Sequence, residues 1–127
     1  MAAEGYHEPY ERLSPETQDM HRAIRSLMEE FEAVDWYQQR VDACKDDELR
    51  AILAHNRDEE KEHASMVLEW IRRHDAVLDT HLKNYLFKSG SITSQEEAGK
   101  EGGKGEAASA IANPQSIGSL RHPERSK

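Results

Sequence analysis

Cysteine is nearly absent from this chain: Cys44 is the single thiol in 127 residues. That excludes an internal disulfide framework and a zinc cluster built from several cysteines. Long apolar runs are missing too. No stretch approaches the ~20 apolar residues of a membrane span, and Met1 to Pro9 lacks the apolar core of a signal peptide. No membrane partner is expected, and the cytoplasm is the default location. Positive charge is scarce, with 17 Lys and Arg against 25 Asp and Glu and a net charge of -8. That balance argues against nucleic acid as a partner. Hydrophobic residues make up only 36% and charged residues 33%, a thin core for a self-sufficient globule. The length allows at most one domain, so an oligomer is expected. Residues 1–88 hold 12 basic and 20 acidic side chains, and residues 89–127 hold 5 of each. The negative excess therefore sits on the first part, where it could attract cations. Simple solubility accounts for it equally well.

What is present reads as helix. Met1 to Leu13 is a loose arm with few apolar residues. Ser14-Pro15-Glu16 is a helix start, with Ser as cap, Pro in the first turn and an acid beside it. No Gly or Pro interrupts from there to about Val41, roughly 42 Å of helix. Its apolar stripe is Met20, Ala23, Ile24, Leu27, Phe31, Val34 and Val41. Ala43 to Asp47 is a short turn with an Asp as the next cap, so the two helices should be antiparallel neighbours. The second helix is expected from about Glu48 to Arg73. Asp75 then caps or kinks the chain before a shorter amphipathic segment, Val77 to Phe87, which Ser89-Gly90 stops. The helical domain is thus residues 14–88. Residues 89–116, rich in Gly, Ser, Ala, Glu and Lys, read as a disordered linker. The tail, 117–127, opens with Ile117-Gly118-Ser119-Leu120-Arg121. Two aliphatic residues flanking Gly-Ser and followed by Arg look like a docking peptide, against the plain alternative of a chance apolar pair.

The second helix carries a conflict. On a wheel of about 100° per residue, Leu49, Ile52, Leu53, Val67, Trp70 and Ile71 share one arc. Asn56, Glu60 and His63 fall on the same arc. A buried unpaired carboxylate is costly, and a divalent metal would compensate it. Glu60 and His63, at i and i+3, project side by side. Glu30 lies at the edge of the first helix's buried face. A ferritin-like di-iron bundle needs a Glu from each of two helices and a Glu-x-x-His pair from each of two others. One chain holds half of that set on half of that bundle, and a two-fold dimer supplies the whole. The alternative is a buried ion pair. Oxygen-rich ligands with one imidazole per metal suit iron or manganese better than structural zinc. Tyr37, a heptad after Glu30, either packs or offers its hydroxyl to the site. Glu29, Glu32 and Trp36 lie off the core stripe: a solvated face with a stray Trp, a second interface, or a carboxylate path for cations. The other histidines have no comparable partners.

The segments from Met28 to Tyr37 and from Ala54 to His63 closely resemble the encapsulated ferritins of bacteria. The likeness runs from about Glu8 to Phe87, and Ile117 to Arg121 is similar to the cargo-loading peptide of such proteins. The resemblance implies an all-α, ferritin-like fold: a two-helix antiparallel hairpin plus a short C-terminal helix, completed to a four-helix bundle by dimerisation. It implies a ferroxidase that oxidises Fe(II) with O2 at a di-iron centre across the dimer interface. The ligands carried over are Glu30, Glu60 and His63, with Tyr37 close by and Glu29, Glu32 and Trp36 collecting metal outside. It further implies open rings, a decamer in the family, that act as cargo of an encapsulin shell in which iron is stored. The cell location is then a cytoplasmic nanocompartment. A non-catalytic iron-buffering cargo and a purely structural helical oligomer are the competing readings.

Overall fold

A computed structural model describes residues 5–99 of the chain. Helix α1 runs Pro15–Ala43 and helix α2 Asp47–Arg73. The Ser14 hydroxyl accepts from the Thr17 amide at 3.0 Å, which satisfies one of the amides a helix start leaves without a partner. Asp46 does the same for α2, its carboxylate accepting from the Leu49 amide at 2.7 Å. The Arg50 guanidinium closes the turn between the helices by donating to the Cys44 carbonyl at 3.0 and 2.7 Å.

Two contacts fix the direction of the pair. Arg57 donates to the Gln38 side chain at 2.9 Å, and His63 lies 3.7 Å from Glu30. The later residue of α2 meets the earlier residue of α1, so the helices are antiparallel. Half-buried Ala23, Leu27, Glu30, Val34, Tyr37 and Val41 recur along α1 at three- and four-residue spacing. They mark its inner side. Ala64 and Ile71 of α2 are the fully buried apolar residues among those described. Each helix carries more apolar surface than the hairpin covers. Ile24, Met28 and Phe31 on α1 are exposed, and so are Ile52, Met66 and Trp70 on α2; Phe31 is 54% and Met66 59% exposed.

The N-terminal arm differs from expectation from Gly5 onward. Tyr6 stacks on His21 of α1 with ring centres 4.3 Å apart, and Tyr10 meets Tyr6 edge-on at 5.5 Å. Arg22 donates to the Tyr10 hydroxyl at 3.2 Å. Gln18 donates to the Tyr10 and Leu13 carbonyls at 3.3 and 3.1 Å. Such ring pairs contribute about 0.5–1.5 kcal/mol beyond their buried area, enough with the hydrogen bonds to hold a short arm. Gly5 allows the close approach: a Cβ there would lie 2.8 Å from the His21 ring, and the ring would have to shift.

The chain divides between Ile71 and Arg72 into two units, a boundary inside the expected 14–88 domain. In the second unit, helix α3 spans Ala76–Tyr85. Asp75 caps it, accepting from the Leu78 amide at 2.9 Å. Asp79 pairs with Arg72 and with Lys83 at 3.1 Å. Phe87 follows with a φ of 62° and its side chain fully exposed. Beyond Gly90 a turn forms in which Gln95 donates to the Ser89 carbonyl at 3.1 Å. Among the described residues no helix is long and apolar enough to cross a membrane. The linker after residue 99 and the tail, Ile117 to Arg121, lie outside the described residues.

Candidate metal centre

Glu30 of α1 and Glu60 and His63 of α2 converge. One ligand atom from each lies within 4.8 Å of the others, and all three residues are half-buried. Helix geometry explains it. Glu60 and His63 are one turn apart on α2, so their side chains stand together. The antiparallel register then brings Glu30 across from α1. The His63 Nδ1 atom is 3.3 Å from Glu60 and 3.7 Å from Glu30. Two carboxylates and one imidazole nitrogen facing each other at such separations suit a divalent cation with mixed oxygen and nitrogen ligation.

The electrostatics describe the same crowding. Glu30 holds its proton above the usual carboxylate range, first because it donates a hydrogen bond to Glu60, then through burial and repulsion from Glu60. Glu60 moves the other way, kept anionic chiefly by accepting that bond and also by His63. His63 is raised, mainly by its hydrogen bond to Glu60. In the metal-free chain, protons do part of the work a cation would do. A cation competes with protons chiefly at Glu30 and His63, which both hold theirs to higher pH than usual, and less at Glu60, which is held anionic. Affinity for a divalent ion should therefore rise with pH through the raised His63 titration, and fall on acidification sooner than for an unperturbed imidazole. Titrations with Co(II) at stepped pH check this; a flat profile from mildly acid to mildly alkaline pH would contradict the assignment.

Tyr37 is half-buried, and the Arg40 guanidinium sits 5.2 Å over its ring. Glu29, Glu32 and Trp36 are exposed, and neither acid joins a three-ligand group among the described residues. Sequence reasoning passed over Glu59. Its carboxylate lies 3.9 Å from His63 Nε2 and 3.7 Å from His55 Nε2, on the ring edge away from Glu30. The i, i+4 spacing to each histidine was the available signal. Ile117, Gly118, Ser119, Leu120 and Arg121 lie outside the described residues.

Residues 5–89 match the family model described as EncFtn-like. An encapsulated ferritin-like protein of Rhodospirillum rubrum is 61% identical over 115 residues, 90% of this chain and 82% of the relative. An encapsulin nanocompartment cargo protein of Myxococcus xanthus is 34% identical over 124 residues, covering 89% of this chain and 95% of the relative. The crystal structure of a Nitrosomonas europaea protein superposes with a TM-score of 0.68 at 69% identity, over 69% of this chain and 97% of that one. A match across both long helices and α3, together with these identities, shows that the chain belongs to the EncFtn-like family, the encapsulated ferritins that its sequence resembles.

Proposed function

We propose that the chain is a ferroxidase that takes Fe(II) as substrate and passes its electrons to O2. The observation that carries this is the convergence of Glu30, Glu60 and His63 in a member of the EncFtn-like family. Three ligands per chain leave a lone iron under-coordinated. Two copies related by a two-fold axis supply four carboxylates and two imidazoles, enough for a pair of irons. The exposed stripe of Ile24, Met28, Phe31, Ile52, Met66 and Trp70 supports a second copy as the partner, since apolar surface of this extent favours burial. Dimers are then proposed to build rings, with a decamer as the family form.

Each residue has a role in this reading. Glu30 and Glu60 bind Fe(II), Glu30 giving up its proton as it does so, and the two carboxylates neutralise the added charge as the metal becomes ferric. His63 binds through the imidazole edge that faces both acids. Tyr37, a heptad from Glu30, offers its hydroxyl as a hydrogen-bond donor at the margin. Exposed Glu29 and Glu32, with Trp36 beside them, collect cations before they reach the centre. Glu29→Ala or Glu32→Ala should change how oxidation depends on Fe(II) concentration, while Co(II) still binds the inner ligands. Loss of Co(II) binding at the inner ligands in either variant would refute this division of labour.

The competing reading is a cargo that binds iron without turnover. An oxygen electrode separates the two: a ferroxidase consumes O2 when Fe(II) is added in excess of its sites, and a buffer does not. The dimer has its own test. Metal-free association brings Glu30 and Glu60 from two chains together, and their repulsion opposes it; a divalent cation removes that repulsion. Size-exclusion profiles should therefore shift toward larger species when Fe(II) or Co(II) is added. Profiles that do not respond would count against a shared centre. The name of the Myxococcus xanthus relative supports an encapsulin shell as partner and a nanocompartment as location, with mineralised iron stored in the shell.

A further inference from the structure

Asn56 is a polar residue that none of these roles absorbs. It stands one turn before Glu60 and two before His63 on α2, with Ile52 one turn before it. It is half-buried, and its side chain makes no hydrogen bond among the described residues. The neighbours Ile52 and Met66 on the same side of α2 are half-exposed, so a partner that covers them reduces the water available to the amide. An amide deprived of water needs a hydrogen-bond partner.

Helix geometry supplies one. Long side chains on an α-helix lean toward its N-terminus, over the residue four positions earlier. For Glu60 that residue is Asn56. In the metal-free chain the Glu60 carboxylate is engaged by Glu30 and His63. A cation held between Glu30, Glu60 and His63 would take one carboxylate oxygen of Glu60, and the second oxygen could accept a hydrogen bond. The side-chain NH2 of asparagine is a donor suited to it.

We propose that Asn56 is a positioning residue of the metal centre, whose side-chain amide donates to the Glu60 carboxylate in the metal-bound dimer. The inference rests on the metal-centre reading above and deepens it. Hydrogen bonds to ligating carboxylates fix the rotamer that faces the metal, and losing them typically lowers metal affinity about 10–100-fold.

The test compares Asn56→Leu, Asn56→Ala and Asn56→Gln with wild type in the full chain. Co(II) titrations followed by the visible absorption of the bound ion are read together with metal-free melting curves. Asn56→Leu and Asn56→Ala should lose about tenfold or more in Co(II) affinity and change the shape of the Co(II) bands, while metal-free melting stays close to wild type. Asn56→Gln, which keeps the amide, should recover part of the affinity. Wild-type affinity and band shape in the leucine and alanine variants overturn the proposal. So does a loss that tracks melting and is not relieved by glutamine. If the leucine variant fails to fold, the smaller alanine side chain decides. Should wild type bind Co(II) yet consume no O2 with Fe(II), the ferroxidase reading falls and the Asn56 comparison still stands. A wild-type chain that binds no Co(II) overturns both.

Discussion

Glu30→Ala, Glu60→Ala and His63→Ala should each reduce Fe(II) oxidation to near the uncatalysed rate. The expected loss exceeds the about 10–100-fold typical of residues that only orient a ligand, because in the proposed dimer each change would remove two direct ligands. The three variants should differ in their side effects. Glu30→Ala removes a carboxylate crowded by Glu60, so metal-free melting should hold or rise. His63→Ala removes the cation-capable group between two acids, so the metal-free hairpin should be the least stable of the three near neutral pH. The linkage has a definite sign. His63 is raised by its acids, so what it contributes is present below the ordinary imidazole pKa and is lost as pH rises through the raised one. Oxidation at wild-type rates in all three variants would remove the di-iron assignment.

Removing the tail should leave the chemistry intact and abolish packaging. The cut belongs after Gly99 rather than after Gly90. Gly99 lies against the Asn84 side chain of α3, where a Cβ would be only 3.0 Å from the amide nitrogen, so a cut at Gly90 would strip a contact from the helical body. With Ile117 to Arg121 as the docking peptide, Ile117 and Leu120 would enter small apolar pockets on a shell wall, Gly118 would permit close backbone approach and Arg121 would meet an acidic rim. One such contact is weak, whereas a ring that presents many is held firmly. The chain ending at Gly99 should oxidise Fe(II) like the full chain and fail to co-purify with a co-expressed encapsulin. The last fifteen or so residues, grafted onto an unrelated soluble protein, should carry it into the shell. Packaging of the truncated chain would move the loading signal to the helical body.

The helices were legible because their signals are local. Ser14, Pro15 and Asp75 act within one turn of themselves, and each stands at the helix end its chemistry favours. The cluster of Glu30, Glu60 and His63 was legible for a related reason. Helical period puts Glu60 and His63 on the inner arc, and a short turn forces the antiparallel register that brings Glu30 to them. The docked arm was not legible. Tyr6 and His21 are joined by no period, and their stacking depends on a path that only the folded chain defines. Glu59 was overlooked because the wheel weighs residues by nearness to the apolar arc, and a carboxylate at its flank reads as solvated. The division at Ile71 was hidden by α2 itself, whose pattern continues without a break to Arg73.

A centre shared between two chains, as proposed, would make oxidation depend on protein concentration. If one hairpin carries Glu30, Glu60 and His63 and no more, a dilute chain is an incomplete catalyst, and the reaction order in protein should approach two. Specific activity would then climb with concentration until dimers saturate. Newly made chains scattered through a cell would leave its free iron largely alone. Confinement in a small volume would itself act as the on-switch, coupling the onset of oxidation to arrival at the place where the ferric product can be kept.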